Sequence, residues 1–378
     1  MAKKIDIANS TGIPELDLAI SATSKKFGKD LSGENYGNVL PIPTGSLLLD
    51  IALGIGGVPR ARITEIVGPN GSMKTSLALA IIYQMQQIRK RDGITAMDLF
   101  IDLEHSLTTD FIESFGIDMS LVIWKRPDTI EEALQMCIDF PKTGYIDGVL
   151  FDSVDAGQNE RQLRRNIGDI DVGGTSKDMN TAIRQISKIC ATTNTTYLFI
   201  NQIKMNPGVM FGSPETTTGG LALGYYAVLR LKMMPKEKFS EIPRSAIMRI
   251  KVLKTKIAFP WEDPIKCAFM FAKGFNEAYD TEAVAKAAGL LRHSVGQTKV
   301  RWGLGSEPEP LLPEIGKGKA AGQKCIRENA FIRRRLREAC LRAYKIKSAV
   351  SDAEVIAMFA PEEEEGVAET VEATEEQL

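Results

Sequence analysis

The chain has 378 residues, of which 44% are apolar, 25% charged and 7% aromatic. Those proportions are ordinary for a folded protein and exclude a disordered chain, a collagen-like repeat and a disulfide-dense miniprotein. Charge is uneven: 47 Lys and Arg stand against 48 Asp and Glu, but eight of the acids are Glu in the last 18 residues, Pro361–Leu378, which leaves the preceding body at 47 against 40. A basic body with an acidic tail is common in proteins that handle nucleic acid; a merely solubilising tail is the plainer alternative. Five scattered cysteines without a C-x-x-C pair, and only two histidines, argue against a disulfide framework or a zinc site. No apolar run is long enough to cross a membrane, and the first ten residues hold no signal-peptide block. The expected location is the cytoplasm.

Residues 1–40 are polar, with Leu16, Ala19, Ile20 and Phe27 at helical spacing before Gly28, which predicts a short N-terminal helix and a linker. From 41 to 270 apolar runs alternate with longer helical patterns. Strands are predicted at Arg62–Val67, Ala96–Asp102, Gly148–Asp152, Tyr197–Gln202, Ala227–Leu231 and Ile247–Leu253, with helices at Thr75–Arg89 and Ile130–Phe140 among the connections. The first four runs are almost continuously apolar, as strands buried on both faces are. Such alternation predicts an α/β fold, a mostly parallel central sheet flanked by helices. Residues 271–360 read as a smaller α+β domain rich in helix, and 361–378 as a disordered acidic tail.

The predicted strand Ile63–Val67 leads into Gly68-Pro69-Asn70-Gly71-Ser72-Met73-Lys74-Thr75-Ser76. This follows the phosphate-loop pattern G-x-x-x-x-G-K-S/T except that Met73 stands at the second glycine. Backbone N–H groups and a helix amino terminus would hold phosphates there, Lys74 would neutralise their oxygens, and the Thr75 hydroxyl would ligate Mg²⁺. If Met73 needs a positive φ, it costs about 1–2 kcal/mol; at a helical φ the cost is small. Asp152 ends a second buried strand and is placed to hold the Mg²⁺ shell. Glu104, just beyond the strand ending at Asp102, is placed to orient or deprotonate an attacking water. Alone, either acid would be read as a helix cap or a solvated strand end; with a phosphate loop upstream the functional reading is preferred. Gln202, ending the next strand, is placed to sense the γ-phosphate.

These segments, with Pro43–Leu47, Leu49–Gly54, Phe100–His105, Phe151–Val154, Phe199–Met205, Gly208–Gly220, Lys251–Ala258 and Ile315–Lys319, resemble the bacterial RecA recombinase family over roughly residues 40–320. The resemblance implies a DNA-dependent ATPase using ATP and Mg²⁺. It implies polymerisation as a helical filament on single-stranded DNA, and pairing and strand exchange with double-stranded DNA in recombination, repair and the SOS response. It gives Lys74, Thr75, Glu104, Asp152 and Gln202 the roles above and places Phe111 where an aromatic ring stacks on adenine. It also makes Lys254 and Lys256 cations that reach a neighbouring subunit's ATP; two lysines one residue apart on a strand share a face. Two glycine-rich loops, about 166–178 and 206–220, are its strand-binding loops. Their candidates are Lys177, Asn180 and Arg184 for the first and Val209, Phe211, Glu215, Gly219 and Gly220 for the second. Arg249 and Lys251 match a secondary DNA site.

Between Ile315 and Lys347 lie eleven Lys and Arg, Arg333–Arg335 among them, and two Glu. A solvated basic face or a gateway for duplex DNA both fit. Two further functional readings stay open. One is an ATP-binding, DNA-coating filament protein with weak or no hydrolysis, suggested by Met73. The other is a ring-forming helicase or regulatory ATPase, which leaves the 206–220 string unexplained.

Overall fold

The computed structural model describes residues 14–27, 39–157, 174–205, 215–217, 221–239, 244–271, 273–294, 297–300 and 319–346. Helix α1, Pro14–Phe27, belongs to a unit of its own comprising residues 1–39, and the rest of the chain forms the second unit. In chain order that second unit contains β1 (Pro41–Ile42), α2 (Leu47–Ala52), β2 (Val58–Pro59), β3 (Ile63–Gly68), α3 (Lys74–Asp92), β4 (Met97–Asp102), α4 (Thr109–Glu113), β5 (Val122–Lys125), α5 (Ile130–Asp139) and β6 (Ile146–Asp152). There follow α6 (Gly174–Thr193), β7 (Thr196–Met205), β8 (Glu215–Thr217), α7 (Leu221–Tyr226), β9 (Leu229–Lys238), β10 (Ser245–Thr255), β11 (Ile265–Met270) and β12 (Gly274–Phe275). Last come α8 (Glu277–Ala287), β13 (Leu291–Ser294), β14 (Gln297–Val300), α9 (Lys319–Glu328) and α10 (Ala330–Ala343).

One sheet organises the unit, in the order β12-β11-β10-β9-β3-β7-β6-β4-β5, with β8 paired to β7. From β9 to β5 every neighbouring pair is parallel; β10, β11 and β12 extend it antiparallel. The parallel strands send alternate residues to opposite faces. Phe100, Leu150, Leu198 and Ile200 join the cluster that includes α3. Leu99, Ile101, Val149, Phe151, Tyr197 and Phe199 join the cluster with α5 and α6. Both faces are therefore covered, which is why these runs are almost continuously apolar. The parallel strands end together, so Gly68, Asp102, Asp152 and Gln202 lie along one sheet edge, the edge where α/β folds place their ligands.

Polar groups inside this unit are paired across long sequence distances. Arg89 of α3 is 2% exposed; it donates to Asp98 on β4 and Asp147 on β6, while Arg60 takes the other oxygen of Asp147. Burial pushes Asp98 up to about 6 despite the Arg89 guanidinium. A third apolar cluster joins Leu47 and Ile51 of α2 to Val284, Leu290, Leu336 and Leu341. Beside it, Asp50 is fully buried; it accepts from the Thr44 N–H and hydroxyl (2.7 and 2.8 Å) and from Arg337 of α10 (2.7 Å). Ser46 donates to Asp280, whose carboxyl burial pushes up to about 7.

Candidate functional site

The residues after β3 form a tight loop at the start of α3. Glycine is required at Gly68, where a Cβ would stand 2.6 Å from the Met233 carbonyl and 2.7 Å from Ser72 Oγ. The Ser72 hydroxyl donates to the Pro69 carbonyl at 2.7 Å, and Gly71 turns the chain at φ 70°. Met73 is left-handed, φ 69° and ψ 29°, so the loop does demand a positive φ at this position. Its side chain is 9% exposed and belongs to the cluster under α3, with Ile66, Leu77 and Leu231. Burial of the thioether thus offsets a backbone conformation that methionine disfavours. No side chain caps α3, so its first N–H groups are available to an anion, with the helix dipole behind them.

Lys74 and Thr75 open α3. Lys74 Nζ donates to the Pro69 carbonyl at 3.0 Å, folding over the loop it would serve. Burial lowers its pKa, and Asp152, Glu104 and Asp155 oppose that shift. Thr75 Oγ1 donates to Asp152 Oδ2 at 2.8 Å. The other oxygen, Asp152 Oδ1, is buried without a hydrogen-bond donor. Burial raises Asp152 to about 6; the Thr75 hydrogen bond lowers it, and Glu104 and Asp102 add to the rise. An orphaned, buried carboxylate oxygen beside a hydroxyl is a hard-oxygen donor set suited to Mg²⁺. The N–H groups of Leu103 and Glu104 donate to the Asp152 carbonyl at 2.7 and 3.4 Å, so Glu104 sits against this acid with its side chain exposed.

On the other side of the loop, Gln202 pairs in register with Gly68, half-buried, and its N–H donates to Asn201 Oδ1 at 2.9 Å. Phe111 on α4 is 40% exposed and meets Phe115 edge-on at 5.3 Å, leaving ring surface open to a base. Lys254 Nζ donates to the carbonyls of Gly224 and Tyr225 at 2.7 and 2.8 Å, and Lys256 Nζ to that of Tyr225 at 3.2 Å. Both ammonium groups thus rest at the carboxyl end of α7 and within 6 Å of the Tyr225 ring. With Glu215 and Arg230 they line a cavity of about 1050 Å³.

The strand-binding candidates are less gathered. Asn180 and Arg184 are exposed on α6. Glu215 is engaged by Lys232 Nζ at 2.6 Å, and Arg249 lies 3.1 Å from Glu237. Lys251 is exposed, opposite Lys232 in the β9–β10 register. Val209, Phe211, Gly219, Gly220 and the Lys177 side chain lie outside the described residues, as does the acidic tail. In the basic segment, Arg337 is committed to Asp50, and Arg333 donates to the Ile326 and Arg327 carbonyls; Arg334 is exposed. The sequence reading missed Glu65, fully buried on β3, which accepts from Asn201 Nδ2 at 3.0 Å and from Arg230 Nε. An acid inside an otherwise apolar strand was the available signal.

A phosphate loop between strand and helix, with a carboxylate from a neighbouring parallel strand against its threonine, defines a P-loop nucleotide-binding protein. Residues 14–276 match the RecA N-terminal domain family. Proteins named Protein RecA are similar along most of the chain. That of Syntrophus aciditrophicus is 35% identical over 346 residues, 90% of this chain and 96% of its own length. The Thermus thermophilus protein is 37% identical over 319 residues, 79% of this chain and 92% of its own. The Deinococcus radiodurans protein is 37% identical over 284 residues, 73% and 76% of the two chains. The chain belongs to the RecA family. Among the described residues no helix is long and apolar enough to cross a membrane.

Proposed function

We propose that the chain is an ATP-dependent recombinase that polymerises on single-stranded DNA, pairs it with homologous duplex and exchanges strands, in recombination and repair in the cytoplasm. The observation that carries the ATPase reading is the pairing of Thr75 with Asp152 while Asp152 Oδ1 stays buried and unpartnered beside the phosphate loop. Thr75 and Asp152 would hold Mg²⁺, which supplies charge neutralisation at the β- and γ-phosphates when bound. Lys74 leaves the Pro69 carbonyl to meet a phosphate oxygen, exchanging a neutral acceptor for an anionic one. Glu104, exposed and tethered through its N–H to the Asp152 carbonyl, orients the attacking water and takes its proton. Phe111 stacks on the adenine.

Lys254 and Lys256 are exposed enough to leave the α7 carbonyls for a neighbouring protomer's triphosphate, which ties hydrolysis to filament assembly. Gln202 lies in β7, which runs directly into the second loop and pairs with β8 inside it, so a change at the γ-phosphate would reach the DNA loop along one strand. Asn180, Arg184, Lys177 and the 206–220 loop would grip the strand through its phosphates, which suits binding of any sequence. Met73 takes the positive φ of a glycine, and Thr75 meets Asp152 behind it, which supports active hydrolysis over a weakly hydrolysing coat protein. Lys74→Ala tests the reading: ATP-dependent filaments and strand exchange should both be lost, and normal strand exchange by this variant would refute it.

A further inference from the structure

On the face of the sheet that packs on α5 and α6, three polar side chains meet at the edge of the apolar cluster. Glu65 on β3 is fully buried, and so is Asn201 on β7; Arg230 on β9 is 23% exposed at its side chain. The three strands are adjacent and parallel, and Glu65 stands opposite Arg230 in register. Asn201 bridges two groups: its Nδ2 donates to Glu65 Oε1 at 3.0 Å, and its Oδ1 accepts from the Gln202 N–H at 2.9 Å. On the other side Arg230 Nε donates to Glu65 Oε2. The Arg230 guanidinium fills the space over Gly224, 3.0–3.3 Å from where a Cβ would lie. Gly224 in turn offers its carbonyl to Lys254 Nζ, and Lys254 is the register partner of Arg230 on β10.

We infer that Glu65 is a positioning residue for ATP turnover: one carboxylate beneath the sheet fixes Gln202 through Asn201 and fixes the resting place of Lys254 through Arg230. For stability alone an apolar side chain would serve this face as well, since a buried ion pair seldom outperforms packed hydrocarbon. What the carboxylate adds is direction. Both of its partners are donors, so the Asn201 amide is held with its oxygen toward Gln202 rather than reversed. Burial lowers the Lys254 pKa, as do Lys256 and Arg230, and the Glu65 charge opposes them. The same group therefore favours the cationic form needed at a phosphate.

This role rests on the recombinase reading above, and Glu65→Gln in the full-length protein tests it. Glutamine keeps the shape but accepts at only one terminus; its NH₂ would reverse the Asn201 amide and remove the bond to Gln202. Nucleotide affinity, followed with a fluorescent ATP analogue, should stay within about twofold, because the phosphate loop is untouched. The kcat for hydrolysis stimulated by single-stranded DNA should fall about tenfold or more with little change in KM. In a Gln202→Ala background, Glu65→Gln should cost clearly less than it does in the unaltered chain, because the share carried through the Gln202 side chain is already gone and only the share through Arg230 and Lys254 remains. If Glu65→Gln fails to fold, Asn201→Ala, which leaves the Glu65–Arg230 pair intact, carries the same expectations. Undiminished kcat in the folded variant, or losses that multiply with Gln202→Ala, would overturn the role while leaving the recombinase reading standing. Absence of DNA-stimulated hydrolysis in the unaltered chain would bring down that reading, and this role with it.

Discussion

Replacing Met73 by alanine and by glycine separates two opposing contributions at the phosphate loop. Either change removes a buried side chain, 9% exposed, from the apolar cluster that also holds Ile66, Leu77 and Leu231; methionine truncations of this kind cost about 2–5 kcal/mol. The two replacements differ only in the backbone. At φ 69° alanine keeps a left-handed penalty of about 1–2 kcal/mol, which glycine escapes. Glycine loses about 0.4–1 kcal/mol of that advantage through the greater freedom of its unfolded chain. The stability order should be methionine, then glycine, then alanine, with glycine ahead of alanine by about 1 kcal/mol. At a right-handed helix position alanine leads glycine by about 0.8–1 kcal/mol, so the order is inverted. Denaturant unfolding of the three proteins, compared at a common midpoint slope, measures this. Alanine clearly more stable than glycine, the right-handed helical order, would refute the left-handed conformation, and a glycine variant more stable than the parent would refute the stabilising burial.

Three other outcomes follow from buried charges. Asp152 is raised above its ordinary value to about 6, so its contribution to folding is present below pH 3.8 and is lost as the pH rises through 6. Its metal-holding form is the ionised one, so Mg²⁺-dependent ATP affinity should rise between pH 5 and 7, opposite to that folding term; Asp152→Asn should flatten the affinity profile. Asp280, raised to about 7, behaves alike: Asp280→Asn should gain on the parent in unfolding midpoint from about pH 4 to 7 and hold the gain above, and a gain largest at pH 4 would contradict this. Arg337→Met leaves the fully buried Asp50 without its cation and should destabilise by roughly 3–5 kcal/mol in equilibrium unfolding; a change under about 1 kcal/mol would show that the pair does not hold α10 to α2.

The inner parallel strands β3, β4, β6 and β7 were legible because burial on both faces leaves an apolar run in the sequence; β5, parallel to β4 but only half-buried, was not predicted. β4 and β7 begin within one residue of their predicted starts. β6 begins at Ile146, two residues before the predicted Gly148, because Asp147 reads as a strand breaker although Arg60 and Arg89 neutralise it inside the protein. β9 extends to Lys238, well past Leu231, since its antiparallel half alternates with exposed positions and lacks the apolar run. β11 and β12 gave no such signal. The positions of the phosphate loop and of Asp152 were legible because the loop is one continuous string and the acid stands at a strand end. The Glu65–Asn201–Arg230 group was not: its members are 136 and 165 positions apart, and only the sheet order brings them together. Among the eleven cations counted between Ile315 and Lys347, Arg337 is claimed by Asp50 from 287 positions away, a partner that charge counting along the chain does not reveal.

In the proposed recombinase, nucleotide at the phosphate loop would set the grip on a DNA strand. Titrating the full chain with a fluorescent single-stranded oligonucleotide, with and without a slowly hydrolysed ATP analogue and Mg²⁺, measures that coupling directly. Binding should be at least tenfold tighter with the analogue, and the gain lost in Lys74→Ala, with helical filaments visible by electron microscopy. Equal affinity in both conditions, with no ordered polymer, would contradict the proposal.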